Sequence, residues 1–258
     1  MAAVFFDIDL TLTDRTGKVP ASAIAAIKKL KENGHKAFIN TGRSRVEIQK
    51  DLLDLGFDGV IAACGTSIQV GQTQLLEVLI PSVLLTEILP LFEQAQIALW
   101  LEGPEHLYVA NTDDEDFISP LITYLGLQRN HVLSWKEQQI QANKIMCLVR
   151  TTEALSQVQP LFETHFTTLS HRGGLFELIP LGYDKATGMD FVLEYCNLAN
   201  EVTYAIGDSA NDISMLKKAH HSIVMGGSDS EVVCVADYET TSVENDGIAR
   251  ALKHYHLI

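Results

Sequence analysis

Short apolar runs alternate with amphipathic stretches over residues 1–64, the rhythm of strands and helices built around a parallel sheet. Ala2–Phe6 predicts a buried first strand. Over 22–31, Ile24, Ile27 and Leu30 share one face and predict a helix, with Gly34 as its stop. Lys36–Asn40 reads as a second strand, 44–55 as a second helix ended by Gly56, and 60–64 as a third strand. Ser67–Val70 and 74–78 then read as a hairpin.

The rhythm changes near residue 80. Leu99, Leu101, Leu107 and Val109 fall in short strand-like stretches, followed by a helix over 114–125, a strand over 145–149, a helix over 152–163 and a strand over 175–179. Pro90 lies inside the helical pattern of 82–96 and predicts a kink or a break there. From Lys185 the α/β rhythm returns: a helix over 185–196, a strand over 202–206, a helix over 212–219, a strand over 222–225 and a last helix near 247–254. The fold class is therefore α/β: a Rossmann-like parallel-sheet core made of 1–80 and 181–258, interrupted by an α+β module over 81–180.

Composition narrows the setting. A chain of 258 residues, 47% hydrophobic and 20% charged, is long enough for two cores and ordinary for a folded globular protein. No apolar run approaches the roughly 20 residues that cross a bilayer. The start runs straight into Val4-Phe5-Phe6-Asp7 with no signal pattern, and Cys64, Cys147, Cys196 and Cys234 are scattered without metal-type pairing. They read as small buried hydrophobes, and a cytoplasmic protein is expected. A net charge of −14 disfavours nucleic acid and anionic membrane as partners. An acidic protein acting on an anionic substrate must also neutralise it locally, with a metal ion or a few placed cations.

Four motifs carry chemistry. Phe5-Phe6-Asp7-Ile8-Asp9 runs an apolar strand into two carboxylates spaced i, i+2, at the strand end where open α/β sheets bind ligands. One acid can attack phosphorus while the other serves the leaving group. Asn40-Thr41-Gly42-Arg43 ends a second strand before a predicted helix, where a hydroxyl and free N–H groups form an anion site or, more simply, a helix cap. Lys185, where the α/β rhythm resumes, can hold the charges of phosphate and nucleophile together, although most lysines at a helix start are solvated. Gly207-Asp208-Ser209-Ala210-Asn211-Asp212 ends a strand and opens a helix; Asp208 and Asp212 are hard oxygen donors of the kind magnesium takes. Each could be an acidic turn or cap by itself. A parallel sheet would gather all four along one edge.

The order Asp7-x-Asp9-x-Thr11, Thr41, Lys185 and Gly207-Asp208-x-x-Asn211-Asp212 resembles the haloacid dehalogenase-like (HAD) superfamily of hydrolases, and the insertion between Thr41 and Lys185 resembles the cap of its Cof-type phosphatase subgroup. The resemblance spans essentially the whole chain. It implies a phosphatase hydrolysing small phosphate monoesters, sugar phosphates foremost, with a small phosphorylated metabolite as partner and Mg2+ as cofactor. It makes Asp7 the nucleophile and Asp9 the acid/base. It assigns Thr41, Gly42, Lys185 and Asn211 to the phosphate, and Asp7, Asp9 (by its main-chain carbonyl), Asp208 and Asp212 (from the outer shell) to the metal. The cap would close over the substrate and exclude water. Trp100, Glu102, His106, His171, Arg172 and Glu177 are candidate specificity contacts within it.

Three positions depart from the pattern: Leu10 stands where Gly is usual, 63–66 where Asn-Gly-Ala is usual, and Gly226-Gly227-Ser228 where Gly-Asn-Ala is usual. Two other functions compete. A phosphomutase resembling phosphomannomutases would need several cations in its cap, and this one holds only Arg129, Arg150 and Arg172 as arginines. A non-catalytic binding protein would have no need of the complete carboxylate set.

Overall fold

The structure, a computed structural model, describes residues 1–136 and 139–258, with Tyr124 described through its backbone. Packing divides it into two compact units. One comprises Met1–Gly42, Lys50–Leu75 and Asp184–Ile258; the other comprises Arg43–Gln49 and Leu76–Tyr183.

The first unit is built on strands β1 (Ala2–Phe6), β2 (Lys36–Asn40), β3 (Gly59–Ala62), β4 (Ser67–Val70) and β5 (Thr73–Glu77). The second contributes β6 (Ala98–Glu102), β7 (Leu107–Val109), β8 (Val132–Ser134), β9 (Lys144–Leu148), β10 (Phe166–Ser170) and β11 (Leu175–Pro180). The chain then returns to the first unit with β12 (Val202–Gly207), β13 (His221–Val224) and β14 (Tyr238–Glu239). The helices are α1 (Ala21–Glu32), α2 (Lys50–Leu53), α3 (Ser82–Gln94), α4 (Glu115–Leu125), α5 (Thr152–His165), α6 (Lys185–Tyr195), α7 (Ile213–Lys218), α8 (Ser230–Val233) and α9 (Gly247–His254).

The first sheet runs in the order β14-β13-β12-β1-β2-β3-β4-β5. The pairs from β14 through β3 are parallel, and β4 turns back antiparallel on β3. All five residues of β1 are buried, the mark of a strand covered on both faces by helices. Its register sets Phe6 between Ile39 of β2 and Ile206 of β12, so Asp7 emerges between the ends of those two strands.

The second sheet runs β10-β11-β9-β6-β7-β8, antiparallel except for β7 with β8. Alternation divides β6 between two apolar clusters. Leu99 and Leu101 join Leu85, Ile88 and Phe92 of α3 and Val158 and Phe162 of α5, whereas Trp100 joins Ile118 and Leu121 of α4.

Several expectations need correction. The predicted helix over 44–55 is a 3-10 turn, Arg45–Glu47, followed by the four-residue α2. Packing assigns Arg43–Gln49 to the second unit although its flanks belong to the first. Val46 packs on the Trp100 cluster and Glu47 is buried, so this segment is held by the second unit's interior. At Pro90 there is no break: α3 runs from Ser82 to Gln94 with Pro90 inside. An interior proline costs about 3 kcal/mol. Four buried side chains of that helix (Leu85, Ile88, Leu89 and Phe92) outweigh it, at about 1.5–3 kcal/mol each. Of the cysteines, Cys64 and Cys147 are buried, but Cys196 is half-buried and Cys234 exposed; all four are free. Strands β8, β10 and β14 and helix α8 carried no pattern strong enough to predict them.

Candidate functional site

The site begins where β1 stops. After Asp7, whose N–H still donates to the Ile206 carbonyl (3.0 Å), the chain curls back on itself. The Ile8 carbonyl accepts from the N–H groups of Leu12 (2.9 Å) and Thr13 (2.8 Å) and from the Thr13 hydroxyl (3.0 Å). The curl needs a left-handed residue, and Leu10 supplies it at φ 56°. A left-handed non-glycine costs about 1–2 kcal/mol, so the turn tolerates strain that the usual Gly would avoid. It leaves Asp7 buried and Asp9 exposed.

Opposite Asp7, β12 ends at Gly207. A Cβ there would lie 2.5 Å from the Asp212 carboxyl carbon, so only glycine lets that side chain fold over the strand end. Asp212 then accepts with both oxygens: Oδ2 from the N–H groups of Asp208 (2.9 Å) and Ser209 (3.0 Å), Oδ1 from Lys185 Nζ (2.5 Å). Lys185 opens α6, whose N-cap Asp184 forms a capping box with Thr187. Asn40 at the end of β2 donates to the Lys185 carbonyl (2.9 Å) and ties that turn to the sheet. Far from being solvated, Lys185 is 0% exposed, and its ammonium also donates to Asp7 Oδ1 (2.6 Å).

The electrostatics follow from this crowding. Burial first, then the charges of Asp212 and Asp9, raise Asp7 to about 7 against the pull of Lys185. Burial, Asp7 and Asp212 raise Asp208 to about 8. Burial alone would lower Lys185, but Asp212 and Asp7 override it and hold the ammonium well above its ordinary range. The Thr11 hydroxyl reaches Asp208 Oδ1 at 3.4 Å. Oxygens of Asp7, Asp208 and Asp212 lie within 4.8 Å of one another. This donor set fits a hard divalent cation: carboxylate oxygens clustered closely, with more negative charge than one ammonium offsets. Asp212, engaged at both oxygens, acts on that cluster through Lys185 and the Asp208 backbone.

Thr41 is buried at the end of β2, its N–H on the Ile61 carbonyl (2.8 Å), and Gly42 follows half-buried. No α-helix starts there, so the helix N-terminus expected beside Thr41 is absent; the Ser44 N–H donates to Glu47 Oε2 (2.7 Å) at the start of a 3-10 turn instead. Asn211 accepts from the Ser209 hydroxyl (2.9 Å) in the loop that carries Asp208.

The second unit holds a polar cluster of its own. Lys144 Nζ lies 2.7 Å from Glu177 Oε1 and 2.9 Å from Glu102 Oε2, Trp100 Nε1 donates to Glu102 Oε1 (2.8 Å), and His171 Nε2 meets Glu177 Oε2 at 3.1 Å. Burial would raise Glu177, but Lys144 and His171 hold it well below the carboxylate range. Glu47 is raised well above its ordinary value by burial and by Glu102. Of the specificity candidates, Trp100, Glu102, His171 and Glu177 meet here. Sequence reasoning missed Lys144 and Glu47; strand alternation, which sets Lys144 opposite Glu102, was the available signal for the lysine.

A model of the haloacid dehalogenase-like hydrolases matches residues 4–252, and the chain belongs to that family. It is a phosphatase of the Cof-type group. It is 23% identical to a Bacillus subtilis protein named as a phosphatase, YkrA, over 99% of this chain and 98% of that one. It is 25% identical to a phosphoglycolate phosphatase of Nitrosopumilus maritimus, over 95% and 92%. The solved HAD subclass IIB sugar phosphatase BT4131 superposes with a TM-score of 0.85 at 27% identity, covering 100% of both chains. Among the described residues no helix is long and apolar enough to cross a membrane.

Proposed function

We propose that this phosphatase is magnesium-dependent and hydrolyses small phosphate monoesters, sugar phosphates foremost, through an aspartyl-phosphate on Asp7. The observation that carries the reading is the crowding of charge in the site: oxygens of Asp7, Asp208 and Asp212 lie within 4.8 Å of one another with one ammonium between Asp7 and Asp212, and Asp7 and Asp208 are pushed up to about 7 and 8. The carboxylates of Asp7 and Asp208 and the main-chain carbonyl of Asp9 would hold Mg2+, with Asp212 supporting them from behind. Bound there, the ion would supply the positive charge that lets both carboxylates ionise and an anionic ester approach.

Lys185 holds Oδ1 of Asp7 and leaves its other oxygen to attack phosphorus. As that Asp7–phosphorus bond forms, the ester P–O bond breaks, and the exposed Asp9 gives its proton to the leaving oxygen. Asp9, now ionised, takes a proton from water, whose oxygen displaces Asp7 and releases phosphate. Thr41, Gly42, Lys185 and Asn211 bind the phosphate oxygens. We assign this chemistry to the core, 1–80 and 181–258, and the choice of leaving group to the cap, 81–180. The sugar-phosphate preference is supported by the likeness to a sugar phosphatase.

The test is phosphate release from sugar phosphates, nucleotides and p-nitrophenyl phosphate, with and without magnesium. Asp7→Asn is expected to abolish turnover and Asp9→Asn to slow it by about 10²–10⁴. An Asp7→Asn variant as active as the parent would sink the covalent mechanism.

A further inference from the structure

We propose, resting on the function just given and deepening it, that a cleft in the first unit beside Asp208 binds the polyol of the departing sugar, with Arg15 and Glu244 as specificity-determining side chains. The core thereby takes a share in the choice of leaving group. The cleft has a volume of about 100 Å³ and is walled by three separate segments: the curl after β1, the loop after β13 and the turn after β14.

Each wall is fixed by contacts of its own. In the first, Leu10 stands at the left-handed corner of the curl, and Arg15 follows on a turn that Asp14 locks. Asp14 Oδ1 accepts from the Thr16 N–H (2.7 Å), the Thr16 hydroxyl (2.6 Å) and the Lys18 N–H (3.1 Å). In the second, the Met225 N–H donates to the Gly207 carbonyl (3.0 Å), which sets 226–228 beside Asp208. The third presses on the second: a Cβ on Gly226 would come 2.9 Å from the Ser242 nitrogen.

Gly227 leaves the cleft open. A Cβ there would meet no atom within 4 Å, so the glycine yields space that the usual asparagine would take up. At roughly 30 Å³ per water in the liquid, the volume suits about three waters or a short polyol stretch.

The lining matches hydroxyl-bearing carbon. Leu10, Met225 and Val243 offer apolar surface for C–H edges. The Ser228 hydroxyl gives its proton to the Met225 carbonyl (2.7 Å) and keeps lone pairs to accept. Ser242 Oγ accepts from Asn245 (3.0 Å) and keeps its proton to donate. Arg15 adds donors and Glu244 acceptors, and among the described residues neither side chain enters an ion pair or hydrogen bond. Guanidinium and carboxylate offset each other, so the cleft suits a neutral polyol better than a second anionic group. Its place suits the leaving group: Leu10 directly follows Asp9, the proton donor, and an Asp208 oxygen lies within 4.8 Å of one of Asp7. Contact with the polyol also accounts for an exposed leucine in a left-handed turn that glycine would take without strain.

The test measures kcat/KM with magnesium on p-nitrophenyl phosphate, whose leaving group has no polyol, and on the sugar phosphate of the panel that is turned over fastest. The ratio of sugar ester to p-nitrophenyl ester is the readout. Arg15→Met and Glu244→Ala should each lower that ratio about tenfold, chiefly through KM for the sugar ester. Arg15→Lys, which keeps a donor, should recover part of the loss, and Gly227→Asn, which refills the cleft, should lower the ratio too. Both charged side chains are exposed, so Tm should stay parental in their variants. An unchanged ratio in Arg15→Met and Glu244→Ala overturns the subsite, as does an equal loss on both esters. An altered magnesium requirement with the ratio unchanged overturns it too, and makes the cleft part of the metal's surroundings. A parent that hydrolyses p-nitrophenyl phosphate through Asp7 but no sugar phosphate would overturn the sugar-phosphate reading and the subsite with it. That failure shows in the parent before any variant is made, so the two are distinguishable.

Discussion

Lys185 and Lys144 are both buried ammoniums gripped by two carboxylates at 2.5 to 2.9 Å, yet their surroundings are opposite. Around Lys144 each carboxylate has its partners. Glu177 is held well below its usual range, His171 and Trp100 complete the pairing, and the group out of line is Glu47, whose Oε1 is buried without a hydrogen-bond partner. Around Lys185 a third carboxylate, Asp208, crowds the pair, and Asp7 and Asp208 retain protons that a carboxylate on the surface would lose. A satisfied buried pair organises a sheet, whereas a pair left short of positive charge is poised to take up a cation and an anionic ester.

The largest effects come from removing each lysine. Lys185→Met should cut turnover by about 10²–10³. Of the two carboxylates that Lys185 pairs with, Asp7 can take up a proton below about pH 7, so there Lys185→Met should cost less stability than Lys144→Met. Lys144→Met leaves Glu102 and Glu177 buried and uncompensated and should cost about 3–5 kcal/mol in urea denaturation. Equal losses of stability in the two variants would erase the distinction between the clusters.

Next comes the dependence on metal and pH. Asp7 and Asp208 have folded values of about 7 and 8 against 3.8 unfolded, so without metal the fold binds protons that the unfolded chain does not. That contribution is complete below the unfolded value and is lost as pH rises through the folded ones. Metal-free protein should therefore melt lower at about pH 8.5 than at about pH 5.5, and added magnesium should raise Tm more at the higher pH. A magnesium shift independent of pH would count against these carboxylates as the metal's ligands.

A smaller effect belongs to Glu47, which burial first and then Glu102 hold well above the ordinary carboxylate range. Its stabilising contribution is likewise present at low pH and lost as pH rises through its folded value. Glu47→Gln, a neutral isostere, should flatten the decline of Tm as pH rises; an unchanged decline would show that Glu47 is not its source. The smallest effect is at Leu10. Leu10→Gly removes the left-handed strain but loosens the unfolded chain, for a net change within about 1 kcal/mol by chemical denaturation.

Much of the core could be read from the sequence because its signals are local. Apolar runs ending in Asp7, Thr41 and Asp208 mark strand ends directly, and α9 appears where Gly247 begins an amphipathic stretch. The failures are equally physical. Of the kink or break expected at Pro90, the break loses to the burial of its neighbours, and the helix expected after Ser44 loses to Val46 and Glu47, which are drawn into the second unit's interior.

What the sequence by itself determined is the set of chemical groups and the strand ends that carry them, since residue type and periodicity are properties of short windows. Only the tertiary structure decided which charges meet. Lys185 and Asp7 are 178 residues apart and Lys144 and Glu177 are 33 apart, and their pairing exists only once sheets and helices pack. Burial, which decides whether a carboxylate keeps its proton, is likewise a property of the folded whole.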